Sequence, residues 1–167
     1  MIRLEALQLR RLAADVLRQL EVDDTANVLE VSELTDGTWM VDFADRSPDT
    51  RFPGFSIDIQ QDWSPEHAIR KLRLELRNKL WICPLCQRRS QIRRIIDREV
   101  FRVECGRCGR FEIEHLLLDH VRLAYEDNDD GIAERLARLA AFVGRAAGTA
   151  VLSMGNWRAV AEATSGG

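Results

Sequence analysis

All four cysteines of this chain fall between residues 83 and 108, as Cys83-Pro84-Leu85-Cys86 and Cys105-Gly106-Arg107-Cys108 with eighteen residues between the pairs. Four sulfurs delivered by two short turns can close a tetrahedron around one Zn²⁺, and no other feature constrains the fold as strongly. The two turns must meet, so the chain between them has to double back. Residues 90–96 and 100–104 are rich in Ile, Val and Phe and are separated by Asp97-Arg98-Glu99, the pattern of a β-hairpin. Trp81-Ile82 enters the first pair as a short strand, and residues 111–113 form another after the second. Pro84 stiffens the first turn, while Gly106 loosens the second and Gly109 can take the left-handed conformation that turns the chain away. Four protein ligands leave no position for water or substrate, so a metal held this way folds the chain and does not catalyse. A redox role would need a single C-x-x-C pair beside a βαβ pattern, which two pairs and a hairpin do not provide.

Cys83, Pro84, Cys86, Cys105, Cys108 and Gly109 carry a resemblance to the zinc-ribbon superfamily over about residues 80–114. In that family two C-x-x-C knuckles hold one zinc at the end of a three-stranded sheet. The resemblance implies one structural Zn²⁺ on Cys83, Cys86, Cys105 and Cys108. Gln87 departs from the family, since glycine is common after the second cysteine of a knuckle. An iron centre of rubredoxin type uses similar spacings, so zinc and iron both stay open on the sequence. Residues 83–163, a ribbon followed by leucine-rich helices, also resemble accessory modules of bacterial and phage proteins, some of them linked to anti-phage defence.

The net charge of −3 conceals three blocks. Residues 1–69 carry 6 Lys/Arg against 14 Asp/Glu, residues 70–110 carry 13 against 4, and residues 111–167 carry 5 against 9. A basic middle between acidic flanks can mark a polyanion site. Zn²⁺ with four thiolates adds about −2 to that middle and leaves it basic. Arg88, Arg89, Arg93, Arg94, Arg98 and Arg102 are the candidate nucleic-acid contacts, because the planar guanidinium fork suits phosphate. The competing expectation is that these arginines face the acidic part of the chain or a protein partner. Phe101 and Trp81 are read as filling the small core of the ribbon rather than as stacking platforms.

Before the cysteines, Leu9, Leu12, Ala13, Val16, Leu17 and Leu20 follow helical spacing and predict a helix over about residues 3–20. Residues 28–34, then Trp39, Val41 and Phe43, then Phe55, Ile57 and Ile59 read as three strands, the first two joined through Asp36-Gly37. Arg46-Ser47-Pro48-Asp49-Thr50 is a loop, and Pro53-Gly54 marks a bulge or an edge at the third strand. A second helix follows, with Ser64 as cap, Pro65 in its first turn, and Ile69, Leu72, Leu76 and Leu80 as its apolar stripe. Arg70, Arg73 and Arg77 share a solvated face of it. This α-β-β-β-α order is similar to the double-stranded RNA-binding domain, but Ser64-Pro65-Glu66-His67-Ala68 replaces the lysine-rich motif that grips phosphate there. A scaffold or docking domain is the better reading.

After the cysteines, Leu116, Leu117, Leu118, Val121 and Leu123 predict a helix over residues 114–125. Ile132, Leu136, Leu139, Ala140 and Val143 predict another, and Asn156 caps a last short helix over residues 157–163. The acidic turn at residues 126–131 lacks the glutamate at position twelve of an EF-hand loop and is read as solvated. His115, Asp119 and His120 lie close enough on a helix for a metal or acid–base pair, and are read instead as helix-surface or half-buried residues.

The expectation is an α+β chain: a scaffold domain over residues 1–80, a three-stranded Cys₄ zinc ribbon over 81–114 and a helical segment over 115–167. No nucleophile elbow, phosphate loop, carboxylate pair or small-molecule site is recognisable. A non-enzymatic zinc-binding protein follows, with nucleic acid as the leading partner and a protein, in an adaptor role, as the alternative. No apolar run reaches the roughly 20 residues of a membrane span, and the N-terminus lacks the apolar core of a signal peptide. The cytoplasm is expected, where paired cysteines hold metal rather than form disulfides.

Overall fold

Helical spacing in residues 6–19 and apolar alternation after it build the first of two units, residues 1–80 and 81–167, in this computed structural model. The structure describes residues 4–24, 26–46, 54–129 and 131–163. In the first unit α1 (Ala6–Gln19) leads into β1 (Ala26–Glu33), β2 (Thr38–Asp45), β3 (Gly54–Gln60) and α2 (Pro65–Lys79). The strands form one antiparallel sheet in the order β1-β2-β3. Gly37 turns the first hairpin at φ +82°, and the Asp36 carboxylate accepts from the Thr38 N–H at 3.1 Å. Val41, Phe43, Ile57 and Ile59 are buried, as are Leu9, Ala13, Leu72 and Leu76 of the helices. α1 packs on β1 and α2, and α2 also packs on β3.

Ser64 caps α2 as its sequence position requires, accepting from the His67 N–H at 3.2 Å with Pro65 in the first turn. The three arginines of α2 do not share a solvated face. Arg70 is exposed, Arg73 donates to Gln19, and Arg77 is buried, because that part of the helix turns inward beside Leu76. The loop expected at residues 46–50 and the Pro53 bulge lie, apart from Arg46, outside the described residues.

The second unit begins with the cysteines and contains β4 (Gln91–Ile95), a 3₁₀ turn at Ile96–Arg98, β5 (Val100–Cys105) and β6 (Gly109–Glu114). It continues through α3 (His115–Glu126), α4 (Ile132–Arg145), β7 (Ala150–Leu152) and α5 (Trp157–Ala163). The expected three-stranded sheet has four strands in the order β4-β5-β6-β7, the last pairing parallel to β6. The two helices between β6 and β7 carry the chain back to start alongside β6, which gives a parallel strand where a tight turn would give an antiparallel one.

The boundary expected at residue 114 does not divide the core. Ile92, Val103, Phe111, Ile113 and Leu152 of the sheet share one buried cluster with Leu117, Leu118, Val121, Leu136, Leu139 and Val143 of the helices. Trp157 of α5 is its largest buried side chain. Leu116 and Leu123, counted as apolar positions of α3, are exposed; the inward face of that helix is Leu117, Leu118, Val121 and Ala124. Asn156 does not cap α5 with its side chain. Its Oδ1 accepts from Ser153 N–H at 2.8 Å and its Nδ2 donates to the Val151 carbonyl at 2.9 Å, which ties β7 to the turn after it. No helix among the described residues is long and apolar enough to cross a membrane.

Candidate metal centre

Two turns bring the cysteines together, each held by its own backbone. In the first, the Cys83 N–H donates to the Arg88 carbonyl at 2.7 Å, and the Gln87 N–H donates to the Cys83 carbonyl at 2.9 Å. Gln87 sits at φ +58°, so the position where glycine is common is left-handed here and the long side chain bears the strain. The short strand expected at Trp81-Ile82 is absent: Trp81 is left-handed at φ +53° and Ile82 makes a single bridge to Arg89, while the Ser90 N–H and hydroxyl both donate to the Trp81 carbonyl at 3.0 Å and fasten the backbone that enters the turn. In the second, the Cys108 N–H approaches Cys105 Sγ at 3.5 Å, and Gly109 takes the left-handed conformation at φ +88°.

The four sulfurs lie within 4.8 Å of one another. Cys83 Sγ is 4.0 Å from Cys108 Sγ, and Cys86 Sγ is 3.5 Å from Cys105 Sγ. Zinc–sulfur bonds of about 2.3 Å in a tetrahedron separate the sulfurs by about 3.8 Å, so the cluster has the dimensions of a four-thiolate metal site. A disulfide needs contact at about 2.05 Å, and all four cysteines are free. Cys83, Cys105 and Cys108 are buried.

Crowding the thiols sets their acidity against one another. The hydrogen bond with Cys108, and burial after it, push the Cys83 thiol far up, and burial raises Cys86 to about 11. For Cys105 burial works the same way, but the N–H groups of Cys108 and Arg107 and the neighbouring thiols outweigh it and its pKa falls. Four thiolates this close need a cation among them to stay ionised, and one divalent metal supplies it. The site can therefore hold one metal ion.

Strand pairing sorts the arginines. Arg93, Arg102, Glu112 and Val151 stand in one row across the sheet, on the face opposite Ile92, Val103, Phe111 and Ala150. Arg94 projects from the other side, in the row of Phe101, Ile113 and Leu152. Arg93 and Arg102 are directly opposite each other, a like-charge pairing that is unfavourable unless an anion intervenes. Glu112 is that anion for Arg102. Its side chain is only 4% exposed, and one of its oxygens accepts from Arg102 at 2.8 Å and from Arg98 at 2.9 Å. Arg88, Arg93 and Arg94 are exposed with no acidic partner among the described residues, whereas Arg89 is half-buried and engaged. Trp81 is exposed at one side and Phe101 is partly buried against the core.

Glu112 carries no signal of its role in the sequence. Its neighbours Phe111 and Ile113 are buried inward, so alternation correctly turns Glu112 outward; what alternation does not convey is that two arginines close over it. The Arg102 hydrogen bonds, with those of Arg98, hold its carboxyl below the usual range. Glu112→Gln is expected to lower stability by about 1–2 kcal/mol, at the low end for a broken buried pair because both guanidiniums are half exposed. A depressed carboxyl contributes fully above its unfolded pKa, so the gap between the two proteins in urea midpoint persists to about pH 5 and narrows below about pH 4. A gap independent of pH would assign Glu112 a purely steric role.

His115 and Asp119 approach at 3.4 Å on the exposed side of α3, and the His120 ring packs tilted at 58° against Trp157 with centroids 5.5 Å apart. Neither histidine is near enough to the cysteines to enter their cluster. Comparison with family models, with curated proteins and with solved structures finds no match.

Proposed function

We propose that this is a non-enzymatic zinc-binding protein whose basic ribbon lies along the phosphates of a nucleic acid. The observation that carries the reading is the placement of Arg93 and Arg94 on β4, an edge strand, where they emerge from opposite faces with no acidic partner among the described residues. A phosphate backbone running along that edge is gripped from both sides. Arg88 extends the grip toward the first knuckle, and Arg98 and Arg102 add the part of their charge that Glu112 does not neutralise. Zinc is favoured over iron because the four thiolates are largely enclosed and nothing about them calls for a redox metal.

Binding of this kind weakens steeply with salt, since each neutralised phosphate releases a counterion. Arg93→Glu with Arg94→Glu is expected to keep the metal and the circular dichroism spectrum and to lose at least about tenfold in affinity for DNA or RNA, with a shallower salt slope. Absence of any shift with single- or double-stranded probes at about 50 mM salt would overturn the reading. The charges on β4 would then serve to keep an open sheet edge from pairing with another chain.

A second reading, a protein adaptor, is favoured by one observation. Ile96 and Leu116 are 77% and 66% exposed, and the His115 N–H donates to the Glu99 carbonyl at 3.0 Å, so the 3₁₀ turn lies beside the start of α3. Two bare apolar side chains at one end of the sheet suit a protein contact better than a phosphate.

A further inference from the structure

The residue after a helix cap commonly turns left-handed, and glycine is usual there because it meets no steric penalty. After α2, behind the cap residue Leu80, that position is Trp81, at φ +53°. Left-handed backbone is unfavourable for a bulky side chain, and full burial does not offset it. Trp81 is 37% exposed, the most exposed of the four tryptophans. Its backbone is nevertheless fixed, since its carbonyl accepts from both the N–H and the hydroxyl of Ser90, the residue before β4. The helix end accounts for the backbone but not for a tryptophan upon it. A strained residue whose ring stays in water points to a contact made by that ring.

A second aromatic surface stands at the other end of β4. Strand pairing sets Arg94 directly opposite Phe101, and the Phe101 ring packs tilted against His115 with centroids 5.7 Å apart. The His115 side chain is 45% exposed. Asp119, 3.4 Å from His115 Nε2, makes this end a place for a base rather than for a phosphate. From Ser90 to Arg94 the chain spans about 13 Å at about 3.3 Å per residue, and Arg93 lies between. Rings at both ends of an arginine-bearing strand offer what an unpaired strand needs, a basic track and surfaces on which bases stack. A duplex has its base faces already covered by one another.

We propose that the nucleic acid held by β4 is single-stranded, with one unpaired base stacked on Trp81, another on His115, and the phosphates between them on Arg93 and Arg94. Phe101 backs the His115 ring. The proposal rests on the reading of β4 as a phosphate contact and adds to it the form of the nucleic acid and the groups that hold its bases.

The test is fluorescence anisotropy on the zinc-loaded full chain at about 50 mM salt. The probes are a labelled oligothymidylate of about 12 nucleotides, its duplex with oligodeoxyadenylate, and an abasic deoxyribose-phosphate strand of the same length. The oligothymidylate should bind at least about tenfold more tightly than either of the others. Trp81→Gly, which relaxes the backbone and removes the ring, and His115→Ala should each lower single-strand affinity at least about fivefold. Neither should change the salt slope, because stacking releases no counterions, whereas Arg93→Glu with Arg94→Glu should flatten it. Trp81→Phe, which keeps a ring, should retain most of the affinity. Metal content and circular dichroism like those of the parent establish that each variant folds. Duplex or abasic binding as tight as that of the single strand, or single-strand binding that ignores Trp81→Gly or His115→Ala, would overturn the inference and leave the phosphate contact standing. No binding of any probe would overturn both.

Discussion

Stripping the metal with a chelator, or replacing Cys105 with Ser, should unfold residues 81–167 together rather than the cysteine turns alone. The reason is the composition of the core. Cys83, Cys105 and Cys108 belong to the same buried cluster as Leu117, Leu136, Leu139 and Trp157, so the metal ligands and the helices have no separate interiors to fall back on. The apparent binding energy of a structural zinc is about 10–16 kcal/mol, comparable to or greater than the whole stability of a small domain. Without the ion, four crowded thiols gain little from staying together, and Cys83 above all is held in a place that opposes its ionisation. Hydrogen exchange is the appropriate measurement. Protection should vanish in β4–β7 and in α3–α5 at the same chelator concentration. If α3 and α4 kept their protection, the helices would have a core of their own and the cysteine turns would be an independent module.

Trp157→Ala tests the same linkage from the far end of the chain. Trp157 is almost wholly buried, and its removal should cost about 3–5 kcal/mol through lost apolar contact and the void left behind. With the candidate ligands and Trp157 in one buried cluster, that loss should reappear as a fall in metal affinity of about a hundredfold or more. Competition against a chromophoric chelator reads this directly. Trp157→Phe, which keeps most of the volume, should recover most of the affinity. A tryptophan variant that loses stability but holds metal as tightly as the parent would separate the two equilibria.

What was legible in the sequence was local. The two C-x-x-C turns, Gly109 in its left-handed position, the Asp36-Gly37 hairpin and the Ser64 cap each depend on a few consecutive residues, and each is found. The misses needed residues distant in sequence. Ala150–Leu152 is too short to show alternation, and what makes it a strand is β6, almost forty residues earlier. Asn156 before Trp157 has the form of a helix cap, yet its amide turns back to the Val151 carbonyl and the Ser153 N–H. Leu116 reads as core in any helical wheel and is exposed because α3 has a partner on one side only. The six candidate arginines formed a single basic run on the sequence. Strand alternation sends Arg93 and Arg94 to opposite faces, and Glu112 takes up Arg98 and Arg102.

The parallel pairing of Glu112 with Val151 also sets an order of events during synthesis. All four cysteines leave the ribosome more than forty residues before β7 and α5 do, so the metal can be captured while the interior that shelters it is still open on one side. The interior closes only once β7 and α5 have emerged, and that closure joins residues distant in sequence, the kind of contact that forms slowly. A nascent chain whose emerged part ends between residues 115 and 149 would thus present a centre open to exchange of its metal. Emergence of β7 and α5 converts it into a closed one.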